Sequence, residues 1–278
     1  MIVDMKNSQH PYIGIDIGGT KIRLTHTFDP TKVGQICDIP TPVSFAVARH
    51  HIEAVLDDWL QGSSPKAIGV ASPGRISSNQ TSIIKPTNIA WRRAEITPWL
   101  EARYKCPVRL VHDASAAGVC EARLGAGQKA KYILYISIST GIGSALILDG
   151  KPIPGPHNPE GGRMILQHPN VRFEQLVSGT AIKRDYGRIA ARIHDKKIWT
   201  HIAQTMAQGI YDLIVASDPE VVILGGGVSV HYRRFHKLLL TAMQNYHPMY
   251  PLPPIKQATF TEYAPLLGAL LLSSDEIE

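Results

Sequence analysis

The chain has 278 residues, with Lys+Arg 29 against Asp+Glu 23, a formal net charge of +6 and three cysteines. That length suits two lobes with separate cores, and no apolar run reaches the ~20 residues that a membrane span needs. Apart from short pairs such as Arg92-Arg93 and Arg233-Arg234 the basic residues look scattered, which argues against nucleic acid, although a mildly positive surface helps to recruit polyanionic substrates. Cys37, Cys106 and Cys120 are few and far apart, which fits a reducing compartment better than a disulfide framework. Asp4 and Lys6 stand where a signal peptide would be turning apolar, so the expected location is the cytoplasm.

In chain order, Tyr12 to Leu24 reads as an apolar alternating strand, a Gly/Thr turn and a second alternating strand. A third strand follows near Gln35 to Ile39, then a helix, His50 to Leu60, with Ile52, Val55, Leu56 and Trp59 on one face. Lys66 to Ala71 is a buried-type strand ending in the turn Ser72-Pro-Gly74, Arg93 to Tyr104 a helix, Val108 to Val111 a strand, and Ala114 to Leu124 an Ala-rich helix. Tyr135 to Leu148 repeats the opening device of strand, Gly/Thr turn and strand. Beyond it come a long irregular segment, Gly150 to Phe173, a helical region to about Ser217, the strand Val221 to Leu224, the turn Gly225 to Gly227, a helix from about Tyr232, a loop marked by Pro248, Pro251, Pro253 and Pro254, and a closing apolar helix, Pro265 to Leu272. The order is that of a mixed α/β protein, and the duplicated hairpin is its one internal repeat.

Each hairpin tip exposes backbone N–H groups and hydroxyls, which suit phosphate oxygens. Two of them, carrying Thr20 and Thr140, suggest two related lobes gripping one nucleotide between them. Asp16 alternates away from the face of Ile13, Ile15 and Ile17, and a carboxylate beside a phosphate cradle is placed to hold Mg²⁺ through water; the alternative is a solvated strand-end aspartate. No P-loop is expected, because Lys21 is followed by an alternating strand and not by Ser/Thr opening a helix. Asp113, between an apolar strand and a helix, has two readings: a base that accepts a hydroxyl proton during phosphoryl transfer, or a helix N-cap. The glycines after Val221 to Leu224 allow backbone to approach a flat ring or a phosphate, or are simply structural.

Taken together these motifs resemble those of the ROK sugar kinases, members of the actin–hexokinase–Hsp70 superfamily. Asp16-Ile-Gly-Gly-Thr-Lys21 matches that family's first phosphate motif, Ser139-Thr-Gly-Ile-Gly143 its second and Gly225-Gly-Gly-Val228 its adenosine motif. Ala71-Ser-Pro-Gly74, Thr87-Asn-Ile-Ala-Trp91, Asp113-Ala-Ser-Ala-Ala117 with Glu121, and Gly268-Ala269 fall in the same order. The resemblance implies a two-lobed, actin-like (ribonuclease H-like) α/β fold with a nucleotide cleft between the lobes: a small lobe, 1–113, closed by the C-terminal helix 264–278, and a large lobe, 114–263. It implies a homodimeric, glucokinase-like enzyme that uses ATP and Mg²⁺ to phosphorylate a hexose or an N-acetylhexosamine, at C6, with Asp113 as base. Gly18, Gly19, Thr20, Lys21, Thr140, Gly141, Gly225, Gly226 and Gly227 would hold the nucleotide and Asp16 the Mg²⁺, and Asn88, His112, Asp113, Glu160, Arg163 and Glu174 would line the sugar site.

Three departures stand out. His112 replaces the family's Asn before the catalytic Asp, Arg163 replaces a zinc-binding His, and the Cys-rich zinc loop is replaced by Leu166 to Phe173, with no cysteine. His168 and His157 are too little for a closed zinc site, so no structural zinc is expected. A ROK repressor would need an added DNA-binding domain of ~55 residues or more, where eleven residues precede the first strand. A non-catalytic sugar or nucleotide sensor on the same fold is the alternative to turnover.

Overall fold

The computed structural model describes residues 10–153, 160–167, 170–247 and 249–277. Pro248 and the two histidines weighed above as zinc ligands, His157 and His168, lie outside these, as do Asp4 and Lys6. Among the described residues no helix is long and apolar enough to cross a membrane. The chain divides into two compact units, Met1–Ala116 with Pro265–Glu278, and Ala117–Ala264.

The first unit contains β1 (Tyr12–Ile17), β2 (Lys21–Thr27), β3 (Gln35–Pro40), α1 (Phe45–Leu60), β4 (Ala67–Ser72), β5 (Arg75–Ile76), β6 (Ser82–Lys85), β7 (Ala94–Glu95), α2 (Thr97–Tyr104) and β8 (Val108–His112). From β8 the chain runs into α3 (Asp113–Arg123). The main sheet has the order β3-β2-β1-β4-β8. Alternation puts Ile13, Ile15 and Ile17 of β1 with Ile22 and Leu24 of β2 on one face, where they form a core with Ile52 and Leu56 of α1 and Leu100 of α2. The opposite face takes the C-terminal helix, because glycines there let backbone come close. A Cβ on Gly69 of β4 would collide with the Ala269 carbonyl, and one on Gly268 with that of Ala116.

Two expectations change here. The first helix starts at Phe45, five residues before the expected His50, because the Phe45 ring packs on Trp91 and Trp99 at centroid distances of 5.3 and 5.7 Å. The expected helix from Arg93 starts only at Thr97, with Pro98 in its first turn, and Ala94–Glu95 is a strand of the small sheet β5-β6-β7. Strands of two to four residues carry too little alternation to be read from sequence.

The second unit contains β9 (Tyr132–Ile138), β10 (Ile142–Leu148), β11 (Lys151–Pro152), a 3₁₀ turn (Gly161–Arg163), β12 (Ile165–Gln167), β13 (Val171–Arg172), α4 (Phe173–Val177), α5 (Gly179–Tyr186), a 3₁₀ turn (Ala190–Arg192), α6 (Lys196–Ser217), β14 (Val221–Gly225), α7 (Tyr232–Gln244) and β15 (Ile255–Gln257). The C-terminal α8 (Ala264–Ser274) closes the chain. The stretch expected to be irregular, 150–173, therefore includes short strands and a 3₁₀ turn. The expected helical region splits into α4, α5 and α6 because the Ser178 hydroxyl caps Ala181 N–H at 3.2 Å and Gly187 turns left-handed at φ +66°. β15, unforeseen next to Pro251, Pro253 and Pro254, pairs parallel to β14.

The order β11-β10-β9-β14-β15 repeats that of the first sheet, pairing for pairing: two antiparallel ladders on one side of β1 or β9, two parallel ladders on the other. The duplication suspected from two short hairpins thus extends over five strands in each unit.

Candidate active site

The β1–β2 tip is closed by Gly18 N–H donating to Lys21 O at 2.9 Å, and is tied down by Thr41, whose hydroxyl donates to Gly18 O at 2.6 Å and whose N–H donates to Thr20 O at 3.0 Å. Gly19 and Thr20 are exposed. A Cβ on Gly19 would stand 2.7 Å from the Asn88 carbonyl oxygen, so the tip packs directly on Asn88, itself left-handed at φ +61°. Two candidate groups 69 residues apart in sequence, one for phosphate and one for sugar, are thereby brought together.

Asp16, Arg23 and Asp38 form a cross-strand row over β1, β2 and β3. The buried Arg23 guanidinium donates to Asp38 through Nε at 2.7 Å and Nη2 at 3.1 Å, and the Lys21 ammonium joins the same carboxylate at 2.7 Å. These hydrogen bonds, Arg23's first, pull Asp38 down to about 2. Asp16 behaves oppositely. Burial, then repulsion from Asp113, pushes it up to about 7 against the opposing charges of Arg23 and Lys21. It is only partly exposed, unlike a solvated strand-end aspartate.

Asp113 is the first residue of α3, with a side chain 38% exposed. Its Oδ1 accepts the Ala114 N–H at 2.7 Å and lies 3.3 Å from Nδ1 of the buried His112. The carboxylate therefore touches the helix's first turn and still presents itself to solvent, compatible with both the cap and the base.

In the second unit the β9–β10 tip is held from two directions. Ser139 O accepts Gly179 N–H, at the start of α5, at 2.6 Å; Ile138 O accepts Val228 N–H, just beyond Gly225 to Gly227, at 2.9 Å. Gly226 sits at φ +82°, and a Cβ on it would press on Ile138 backbone. The second phosphate motif and the adenosine motif are neighbours. Thr140 is exposed, and a Cβ on Gly141 would lie 3.0 Å from Glu174 Oε2, so Glu174 stands at this tip. Glu160 precedes the 3₁₀ turn that Gly161 anchors by donating to Ser144 Oγ at 2.9 Å; Arg163 Nε lies 3.5 Å from Glu160 Oε2, its side chain 47% exposed.

Arg23 and Asp38 were not singled out from the sequence, although their place at alternate positions of paired strands was the available signal. Glu121, quoted only within a motif, is fully buried and accepts three backbone N–H groups, Ala126 at 2.9 Å, Thr259 at 3.0 Å and Phe260 at 2.7 Å. Among the described residues no three His, Cys, Asp or Glu side chains cluster as a metal site.

The family model described as "ROK family" matches residues 12–276. The chain belongs to the ROK family. Among its relatives, the glucokinase of Halalkalibacterium halodurans is 29% identical over 88% of this chain and 87% of its own length. The fructokinase of Zymomonas mobilis is 29% identical over 81% and 82%. The crystal structure of the ROK hexokinase from Thermus thermophilus superposes with a TM-score of 0.80 at 28% identity, covering 96% of this chain and 99% of that one. This ROK chain thus has the actin-like α/β fold that its motifs imply.

Proposed function

We propose that this ROK-family protein is an ATP-dependent sugar kinase that transfers the γ-phosphoryl group to a hydroxyl, that at C6, of a hexose or an N-acetylhexosamine. Relatives named glucokinase and fructokinase support sugar phosphorylation. The observation that carries the reading is the acidic pair in the first unit: Asp16 on the hairpin strand and Asp113 at the strand-to-helix junction repel each other enough to contribute to the displaced Asp16 ionisation.

That donor set fits Mg·ATP. A partly buried carboxylate strained by a second one gains from a divalent cation, which Asp16 would hold through water, and the cradle at Gly18 is one that a Cβ would fill, 2.8 Å from Lys21 O. Bound Mg²⁺ supplies charge neutralisation on the transferring phosphoryl group. On this reading Gly18, Gly19, Thr20, Lys21, Thr140 and Gly141 take the phosphates, and Gly225, Gly226 and Gly227 take the adenosine. Asn88, His112, Glu160, Arg163 and Glu174 orient the sugar, and Asp113 takes the proton of the attacking hydroxyl. Residues 1–113 with 264–278 act as one lobe and 114–263 as the other, in a cytoplasmic homodimer.

Arg163 brings a permanent charge and a multi-donor fork, which favours an acidic or N-acylated sugar over plain glucose. ADP release measured by a coupled assay over a panel of sugars tests the proposal. Sugar-dependent turnover supports it, while sugar binding with no turnover on any member leaves the sensor. Glucose phosphorylated with a better kcat/KM than every hexosamine and acidic sugar would refute the inference from Arg163.

A further inference from the structure

The segment Leu166 to Phe173 stands where the family resemblance places a zinc loop, and its residues do not fit that ion. It has no cysteine, and Arg163 puts a permanent cation where a zinc-binding His would stand. Its two ends are held instead by two consecutive residues of α6. Gln208 Nε2 donates to Leu166 O at 3.3 Å, and the Phe173 ring lies on Gly209, where an added Cβ would come within 2.7 Å of Cδ2, Cε2 and Cζ of the ring. Phe173 is fully buried. Gly209 sits in the interior of α6, where only proline is less favourable than glycine, so the helix gives up stability and gains room for the ring. Phe173 N–H donates to Met164 O at 2.8 Å, and Ile165 pairs with Arg172 across β12 and β13. Gln175 secures the exit: its Oε1 accepts Arg172 N–H at 2.9 Å, and its carbonyl accepts Arg184 Nη2 of α5 at 2.9 Å.

Glu174 follows Phe173 directly, in the first turn of α4. A helix of five residues does not repay its own nucleation, so α4 keeps its place through its ends. At its start Phe173 lies on Gly209; just past its end Gly179 N–H donates to Ser139 O of the second phosphate hairpin at 2.6 Å. Glu174 is thus carried between the glycine of α6 and the hairpin, with its carboxylate at Gly141. Any displacement of the Phe173 ring reaches Glu174 through a single peptide unit, which is planar and passes rotation on.

We propose that Phe173, seated on Gly209, and Gln175 are positioning residues that do without metal what the family resemblance assigns to zinc: they aim Glu174 at the second hairpin and, resting on the kinase reading above, thereby set the affinity for the sugar. Packing suits this role, because a buried ring in a close-fitting notch has one place to sit, and a shift of one methyl group in the notch moves it.

The test uses the whole protein as wild type, Gly209→Ala, Gly209→Ala with Phe173→Leu, Gln175→Ala and Gln175→Glu. Gly209→Ala should raise the sugar KM ~10-fold or more while kcat and the ATP KM stay within ~2-fold of wild type. Adding Phe173→Leu makes room for the new methyl and should restore most of the loss. The exposed Gln175 can be changed without disturbing the core: Gln175→Ala should raise the sugar KM ~3-fold or more, and Gln175→Glu, which keeps an acceptor for Arg172 N–H, should hold it near wild type. Crystal structures of wild type and Gly209→Ala, or of Gln175→Ala should the former not fold, read the aim of Glu174 without turnover, and a shift of its carboxylate from Gly141 by ~1 Å or more is expected. An unchanged sugar KM in folded Gly209→Ala or in Gln175→Ala, a loss that Phe173→Leu does not relieve, a fall in kcat as large as the rise in KM, or Glu174 unmoved at Gly141 overturns the proposal. A displaced Glu174 in a protein whose wild type phosphorylates no sugar sustains the positioning and instead defeats the kinase reading.

Discussion

Asp16→Asn should abolish activity and at the same time stabilise the metal-free protein. In the folded state the carboxyl ionises at about 7 in place of 3.8, chiefly because of burial and secondly because of Asp113. A raised carboxyl contributes stability that is complete below 3.8 and is lost as the pH climbs through about 7. The displacement corresponds to ~4 kcal/mol as an upper bound, and residual solvent access reduces the working figure to ~2–4 kcal/mol. Asn has the same size and no charge to desolvate. At pH 8 with a chelator present, the variant should therefore unfold roughly 5 °C or more above wild type, at about 2 °C or more per kcal/mol for a chain of this length. At pH 4, where Asp16 is protonated, the two should nearly coincide. Excess Mg²⁺ at pH 8 should raise the wild type and leave the variant unmoved. The assay is thermal unfolding by circular dichroism at the two pH values. An Asn variant no more stable than wild type at pH 8 in chelator would refute the argument that the site stores unfavourable electrostatic energy for a cation.

Asp113→Asn keeps an oxygen for the Ala114 N–H, so thermal stability should hold within about 2 °C while kcat falls ~10²–10⁴-fold with ATP still bound; near wild-type turnover on the best sugar makes Asp113 a cap and moves attention to Glu160. Gly19→Val pushes into Asn88, so calorimetry should show weakened ATP binding and kinetics a raised sugar KM, with the fold retained; an unchanged ATP affinity removes the first hairpin from the site. Glu121→Gln replaces one acceptor oxygen by an amide donor that must face either the Phe260 N–H on Oε1 or the Ala126 and Thr259 N–H groups on Oε2, and should cost ~2 kcal/mol or more in denaturant titrations, against which a loss below ~1 kcal/mol would count. Elemental analysis of the purified protein is expected to find no zinc, and one ion per chain surviving dialysis against chelator is the contrary result.

The sequence by itself determined the elements whose signal is local. Alternation in Tyr12 to Leu24 and Tyr135 to Leu148 specified both hairpins, since a period of two with glycine at the turn has few other solutions. The family and its fold were legible in the same way, from glycines whose backbone freedom cannot be replaced. Short strands such as Ala94–Glu95 and Ile255–Gln257 were not, because they exist only through partners distant in sequence. The tertiary structure alone decided the electrostatics. Asp16 and Asp38 look alike in the chain, yet burial beside Asp113 lifts one to about 7 and two hydrogen-bonding cations drop the other to about 2. Only the tertiary structure, too, set Asn88 against Gly19 and Glu174 against Gly141. Charge and packing act through distance in space and not along the chain.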